Sequence, residues 1–173
     1  MRAARLCGIL LLAAGLVVVA AGLADSRAQS SAAEVTVLPA GLPLDDESKC
    51  LALAVYWEGK SETQKGQLAV AHTVLNRVGH PAFPDTICGV VSQQSDAGRR
   101  SCQFSWWCDG KRDEPRDEDE WQDAVDSAHA AMLDGAKDPT QGALYFHSAR
   151  AKTPKWAKSR KRLVRIGDHI FYR

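Results

Sequence analysis

The sequence predicts an α+β domain in which helices dominate and a small antiparallel sheet comes late in the chain. Three observations carry this. Apolar residues recur at helical spacing from Cys50 to Val78 and again from Trp121 to Leu133. A Gly-first turn, Gly167-Asp168, separates two β-type runs near the end. Between them lie short connections rich in turn residues, with no internal repeat.

The N-terminus reads as an export signal. Arg2 and Arg5 precede an apolar stretch, Leu6 to Ala24, and Gly22-Leu23-Ala24 or Ser26-Arg27-Ala28 offers a small-residue cleavage site. Residues 1–28 are therefore expected to be a signal peptide. An uncleaved anchor is the competing reading, because the stretch is close to the roughly 20 residues that a membrane span needs. Both place the remainder outside the cytoplasm, in the periplasm or cell wall. Residues 29–47 are rich in Ala, Ser, Gly and Pro and read as a flexible linker. The compact domain is expected over 48–173.

Asp45, Asp46 or Ser48 can cap a first helix running to about Trp57, with Cys50, Leu53, Ala54 and Trp57 on one face. Ser61 or Thr63 caps a second, reaching about Val78. Leu68, Ala71, His72 and Leu75 form one stripe of it and Val70, Thr73 and Val74 another, so it should be buried on most sides. His72 reads as a core histidine. Pro84-Asp85-Thr86 opens a short third helix with Ile87, Val90 and Val91 inward. Residues 92–101 read as a loop, and Cys102 to Cys108 as an extended segment. A last helix, Trp121 to Leu133, should turn Trp121, Ala124, Val125, Ala128 and Met132 inward and stop at Gly135. Ala143 to His147 reads as a strand, followed by the hairpin of 162–166 and 169–172.

Cys50, Cys88, Cys102 and Cys108 remain once the signal is removed, an even number in an exported chain, which suggests two disulfides. Three connectivities are open. No C-x-x-C pair or His-x3-His partner supports zinc, so neither metal nor cofactor is expected. The net charge is +1, which gives no basis for nucleic-acid binding, but its distribution is uneven. Eight acids fall between Asp113 and Asp126. Eight bases and no acid fall between Arg150 and Arg165. These are either solvated faces or, for the basic run, a rim that attracts a polyanion.

The chemistry centres on Glu58. It ends an apolar helical run, beside Tyr56 and Trp57, as the chain breaks at Gly59. Burial would raise its pKa by disfavouring the charged form. A carboxyl kept neutral near pH 7 can donate the proton that breaking a glycosidic bond requires. The plainer alternative is a solvated helix-end acid paired with Lys60. Gln103 and Ser105, two apart on one segment, and Tyr145 and His147, two apart on another, are the candidate sugar-binding groups. Trp106, Trp107 and Trp156 are candidates for stacking on sugar faces, or for the core. Asp96 and Asp109 are the acids that could complete a two-carboxylate site. Glu62 is too near Glu58 along the chain to face it across a sugar.

Several motifs now fall in a recognisable order. They are Glu58-x-x-x-Glu62, Gly66-Gln-Leu-Ala-Val-Ala71, Val74-Leu-Asn-Arg-Val78 and Phe83-Pro-Asp-Thr-Ile-Cys-Gly-Val-Val91, then Cys102-Gln-Phe-Ser105 and Ile166-Gly-Asp-His-Ile-Phe-Tyr172. The chain resembles the spore-cortex-lytic (SleB-like) cell wall hydrolases across nearly all of 50–173. The resemblance implies a lysozyme-like fold related to lytic transglycosylases, peptidoglycan glycan strands as substrate, and Glu58 as catalytic acid. One departure is local. The family usually reads Glu-Ala-Arg-Gly-Glu where this chain has Glu58-Gly-Lys-Ser-Glu62, and lysine keeps the charge but not the fork of arginine. With no clear second acid, lytic transglycosylation is expected, with simple hydrolysis the near alternative. A non-catalytic wall-binding module and a disulfide-stapled interaction protein are the other classes. The domain is expected to act as a monomer associated with the cell envelope.

Overall fold

The computed structural model describes residues 44–94 and 102–173. The expected signal, most of the expected linker and Asp96 lie outside the described residues. Among the described residues, no helix is long and apolar enough to cross a membrane.

Helix α1 spans Asp46–Glu58, so it starts inside the segment expected to be linker. Its N-cap is Asp45, whose carboxylate accepts from the Ser48 backbone N–H at 2.7 Å. The expected single face is too narrow. Leu51, Ala52, Val55 and Tyr56 are buried along with Ala54, because α1 is packed by α2, α3 and α4 on several sides. Helix α2, Gln64–Val78, is capped by Thr63 and is buried on most sides as expected. Its buried face continues past Thr73 and Val74 onto Arg77. Helix α3, Ile87–Val91, follows its Thr86 cap with Ile87, Val90 and Val91 inward.

Two features tie α3 to α1. Glu47 accepts from the Ile87 N–H at 2.5 Å, and Cys50 is disulfide-bonded to Cys88. The second disulfide joins Cys102 to Cys108. That bridge explains why the expected extended segment is not one. The two Cα atoms lie 5.9 Å apart, whereas six residues of strand would reach about 20 Å. Ser105–Cys108 instead winds into a 3₁₀ turn, after a single bridge between Gln94 and Cys102. Thiol titration of the unreduced, denatured protein lacking residues 1–28 is expected to find no free thiol. Removing the Cys50–Cys88 bridge is expected to cost about 2–4 kcal/mol of stability, read by denaturant unfolding.

Helix α4 runs Glu118–Met132 from an Asp117 cap. Met132 was expected inward, but it is 40 % exposed and Ala131 takes the inward place. Ser127 of α4 donates to Gln67 of α2 at 2.7 Å inside the interface. The Tyr56 hydroxyl accepts from the Arg116 and Asp117 N–H groups, fixing the entry to α4 against α1.

The sheet is β1 (Tyr145–Ser148), β2 (Arg162–Ile166) and β3 (His169–Tyr172), antiparallel in the order β1-β3-β2. β2 and β3 are joined by the expected turn, in which Gly167 has a φ of +54°. β1 starts two residues later than expected, although the Leu144 N–H just ahead of it already bonds the Tyr172 carbonyl of β3. Phe171, Ile166 and Ala143 pack on Ala69 of α2, so the sheet rests on the helix that carries Arg77.

Candidate active site

Helix α1 ends in a groove of about 610 Å³, open on one side and bounded on the other by β1. β1 is an edge strand, and all four of its residues line the groove. Glu58 is at its base. Burial raises the pKa of this carboxyl, and the Trp106 side chain and the Arg77 charge hold the rise in check. The Trp106 indole N–H is buried and makes no hydrogen bond of ordinary geometry, so it acts on Glu58 as a nearby dipole. The solvated ion pair with Lys60 does not form. Lys60 reaches Glu120 of α4 at 2.8 Å instead.

Sequence reasoning missed Arg77. It is 4 % exposed, lines the groove, and burial lowers its pKa to about 10 against the opposing pull of Tyr145 and Glu58. Its Nε donates to the Leu144 carbonyl at 2.8 Å. Its guanidinium lies over Phe83, Phe104 and Tyr145, with Cζ 5.3, 5.4 and 5.9 Å from the ring centroids. Aromatic faces stabilise a cation that has left water. Its neighbour Asn76 holds the same wall: Nδ2 donates to Asp138 at 2.9 Å and to the Ala143 carbonyl at 3.1 Å. Asp138 in turn accepts from Thr140 and Gly142. The Asn76-Arg77 pair thus sets both the cation beside the acid and the start of β1. The signal was present in the sequence. Extending the Val70-Thr73-Val74 stripe by one turn lands on Arg77.

Of the sugar-binding candidates, Gln103, Ser105, Tyr145 and His147 all line the groove with Glu58. Gln103 and Ser105 do so from the approach to a 3₁₀ turn and its first residue, not from one side of a strand. His147 is held at both ring nitrogens. Nδ1 lies 2.8 Å from the Ser148 carbonyl and Nε2 3.0 Å from the Tyr172 hydroxyl. A carbonyl can only accept, so Nδ1 carries the hydrogen and Nε2 accepts from the tyrosine in the neutral ring. Trp106 does not line the groove. It is buried in the core against Trp57 and Phe104, beneath Glu58. Trp107 is exposed and Trp156 lines the groove, against Tyr145 and His147. Asp109 lies elsewhere, in a smaller pocket with Trp57 and Arg112, and is paired with Lys111. Glu58 is the one carboxyl among the described residues that line the groove.

Glu62 serves as a brace. Its carboxylate accepts from the Asp168 N–H at 2.8 Å and lies 3.1 Å from His169 Nδ1. It crosses Gly167 and Gly66 so closely that a Cβ on either would collide with it. The turn after α1 is thereby fastened to the β2–β3 turn. Burial lowers the pKa of His169, which also lines the groove, against the pull of Glu62.

A family model described as cell wall hydrolase matches residues 61–172, about two thirds of the chain. The chain belongs to the cell wall hydrolase family. Among curated members, the spore cortex-lytic enzyme of Halalkalibacterium halodurans is 35 % identical over 140 residues, covering 80 % of this chain and 38 % of that protein. The enzyme of the same name from Bacillus subtilis is 30 % identical over 148 residues, covering 84 % and 43 %. The chain thus spans less than half the length of these relatives. Solved family structures agree in fold. The catalytic domain of the Bacillus cereus SleB protein superposes with a TM-score of 0.55 at 31 % identity, covering 77 % of this chain and 94 % of that one. The catalytic domain of the germination-specific lytic transglycosylase SleB from Bacillus anthracis gives 0.54 at 32 %, covering 79 % and 100 %. The mostly helical α+β architecture expected from the sequence is that of the SleB catalytic domains.

Proposed function

We propose that this protein is an exported enzyme that cuts the MurNAc–GlcNAc bond of peptidoglycan as a lytic transglycosylase, with Glu58 as its one acid–base group. The observation that carries the reading is a single carboxyl among the described residues that line the groove, with a pKa raised by burial. Neutral Glu58 donates its proton to the bridging oxygen as the bond from muramic acid C1 to that oxygen breaks. The carboxylate left behind faces the oxocarbenium-like centre and is supported by Arg77. It then takes the proton of the muramic acid 6-hydroxyl as O6 bonds to C1. The products are a free GlcNAc 4-hydroxyl and a 1,6-anhydromuramic end, and Glu58 is neutral again. Hydrolysis would need a second carboxyl, about 6.5–9.5 Å away to activate water or about 5–5.5 Å away to attack C1. Intramolecular attack needs neither, because the substrate carries its own nucleophile at high effective concentration.

In this reading Gln103, Ser105, Tyr145 and His147 hold the sugar, with Trp156 offering a stacking face. Residues 1–28 are a signal peptide and the stretch from 29 to the start of α1 a tether, which place a monomeric domain in the periplasm or cell wall. The relatives' names, spore cortex-lytic enzyme and lytic transglycosylase, fit this substrate class and chemistry. Incubation with purified peptidoglycan tests it. Soluble glycan fragments should accumulate with time and in excess of enzyme. Tight adsorption to the wall with no fragment release would make the protein a binding module instead.

A further inference from the structure

The sugar backbone of peptidoglycan carries no charge where the muramic acid lactyl carboxyl is amide-linked to a stem, yet the groove presents two guanidiniums and one carboxyl among its described lining residues. Arg77 donates to the Leu144 carbonyl and faces three rings and Glu58, although its Nη1 is buried without a hydrogen-bond partner. The Arg160 side chain has no acid beside it in this way among the described residues. It lies flat over Tyr145, its Cζ 3.5 Å from the ring centroid, with Trp156 packed on the same ring. Its Nε is buried and has no hydrogen-bond partner. No carboxylate among the described residues pairs with it. Lys155, Lys158 and Lys161 stand exposed around it, in a run from Arg150 to Arg165 that contains no acid.

A stacked guanidinium keeps its N–H groups in the plane of the fork, so it is held ready for a planar anion. That geometry suits a carboxylate bound at two points. The groove already supplies Glu58 with a cation in Arg77, so a second is not needed for the acid. We propose that Arg160 binds a carboxylate of the peptide stem carried by muramic acid, and so selects glycan with free stem carboxylates over glycan whose stems are neutral. This rests on the proposed peptidoglycan substrate and adds a residue that reads its charge. The lysines around Arg160 extend the same field along the stem.

The test is a binding measurement that does not depend on turnover. In a Glu58→Gln background, calorimetric titration compares two tetrasaccharide fragments of peptidoglycan. One has free stem carboxylates and the other has them capped as amides. Arg160→Gln should weaken binding of the free-acid fragment about tenfold and that of the capped fragment less than twofold. Arg160→Lys keeps a charge over Tyr145 without the fork. It should give a smaller loss, again confined to the free acid, and serves as the second variant if glutamine unsettles the fold. Equal weakening toward both fragments, or none toward either, overturns the proposal. Failure of the wild type to release fragments from the wall would count against cleavage, and is read separately from this binding result.

Discussion

Replacing Glu58 by glutamine is expected to lower glycan cleavage by at least about 10²–10⁴-fold, the range that a positioned general acid supplies. Glutamine matches the carboxyl in shape and has no proton to give. The fold should not suffer. Because burial raises the pKa of Glu58, the folded protein holds this proton more tightly than the unfolded chain does. Stability is therefore lost as pH rises through the carboxylate range, since the folded state must then carry a buried charge. Glu58→Gln removes that cost, so its Tm at neutral pH should equal or exceed that of the wild type. The same raised pKa should move the alkaline limb of the wild-type rate profile above the ordinary carboxylate range. Retention of more than about a tenth of wild-type activity would remove Glu58 from its role. A Tm well below wild type would remove the electrostatic account.

Gly167→Ala is expected to destabilise the domain by at least about 2 kcal/mol. Two costs add. A residue other than glycine at φ +54° is strained by about 1–3 kcal/mol. The new Cβ would also collide with Glu62 Oε2, which forces the carboxylate off the Asp168 N–H. A buried acid without its donor is costly, at about 1–3 kcal/mol or more. The two terms separate in a double-mutant cycle. With Glu62→Ala already in place, the collision is gone, and Gly167→Ala should cost only the backbone strain. Strict additivity in denaturant unfolding would show that the glycine does not serve the Glu62 brace.

The sequence expresses local rules more fully than long-range ones. Helix caps at Asp45, Thr63 and Thr86 and the turn at Gly167-Asp168 depend on neighbours a few residues away, and the structure shows each where side-chain chemistry puts it. The 102–108 segment was misread because a covalent bond overrides the β preference of its aromatics. Met132 was misplaced because α4 ends on it and Ala131, one position before, faces the core instead. The groove residues were legible where polar groups recur at spacing two, as in Tyr145 and His147. Arg77 was passed over although the buried stripe of α2 runs onto it, and Arg160 was hidden because a stacked arginine is recognisable only by the ring beside it. Their rings come from Phe83, Phe104 and Tyr145, which tertiary folding alone brings together. Glu62 was set aside as a second acid, but its bracing role was not foreseen, because its partner, the Asp168 N–H, lies 106 residues along the chain.

The origin of the oxygen at the new muramic acid end tests the single-carboxyl account most directly. Purified peptidoglycan is digested in ¹⁸O-labelled water and the fragments are weighed by mass spectrometry. Transglycosylation by Glu58 predicts 1,6-anhydro ends that contain no label. Reducing ends labelled at muramic acid C1, without anhydro species, would mean that water attacked and that a second acid serves this site.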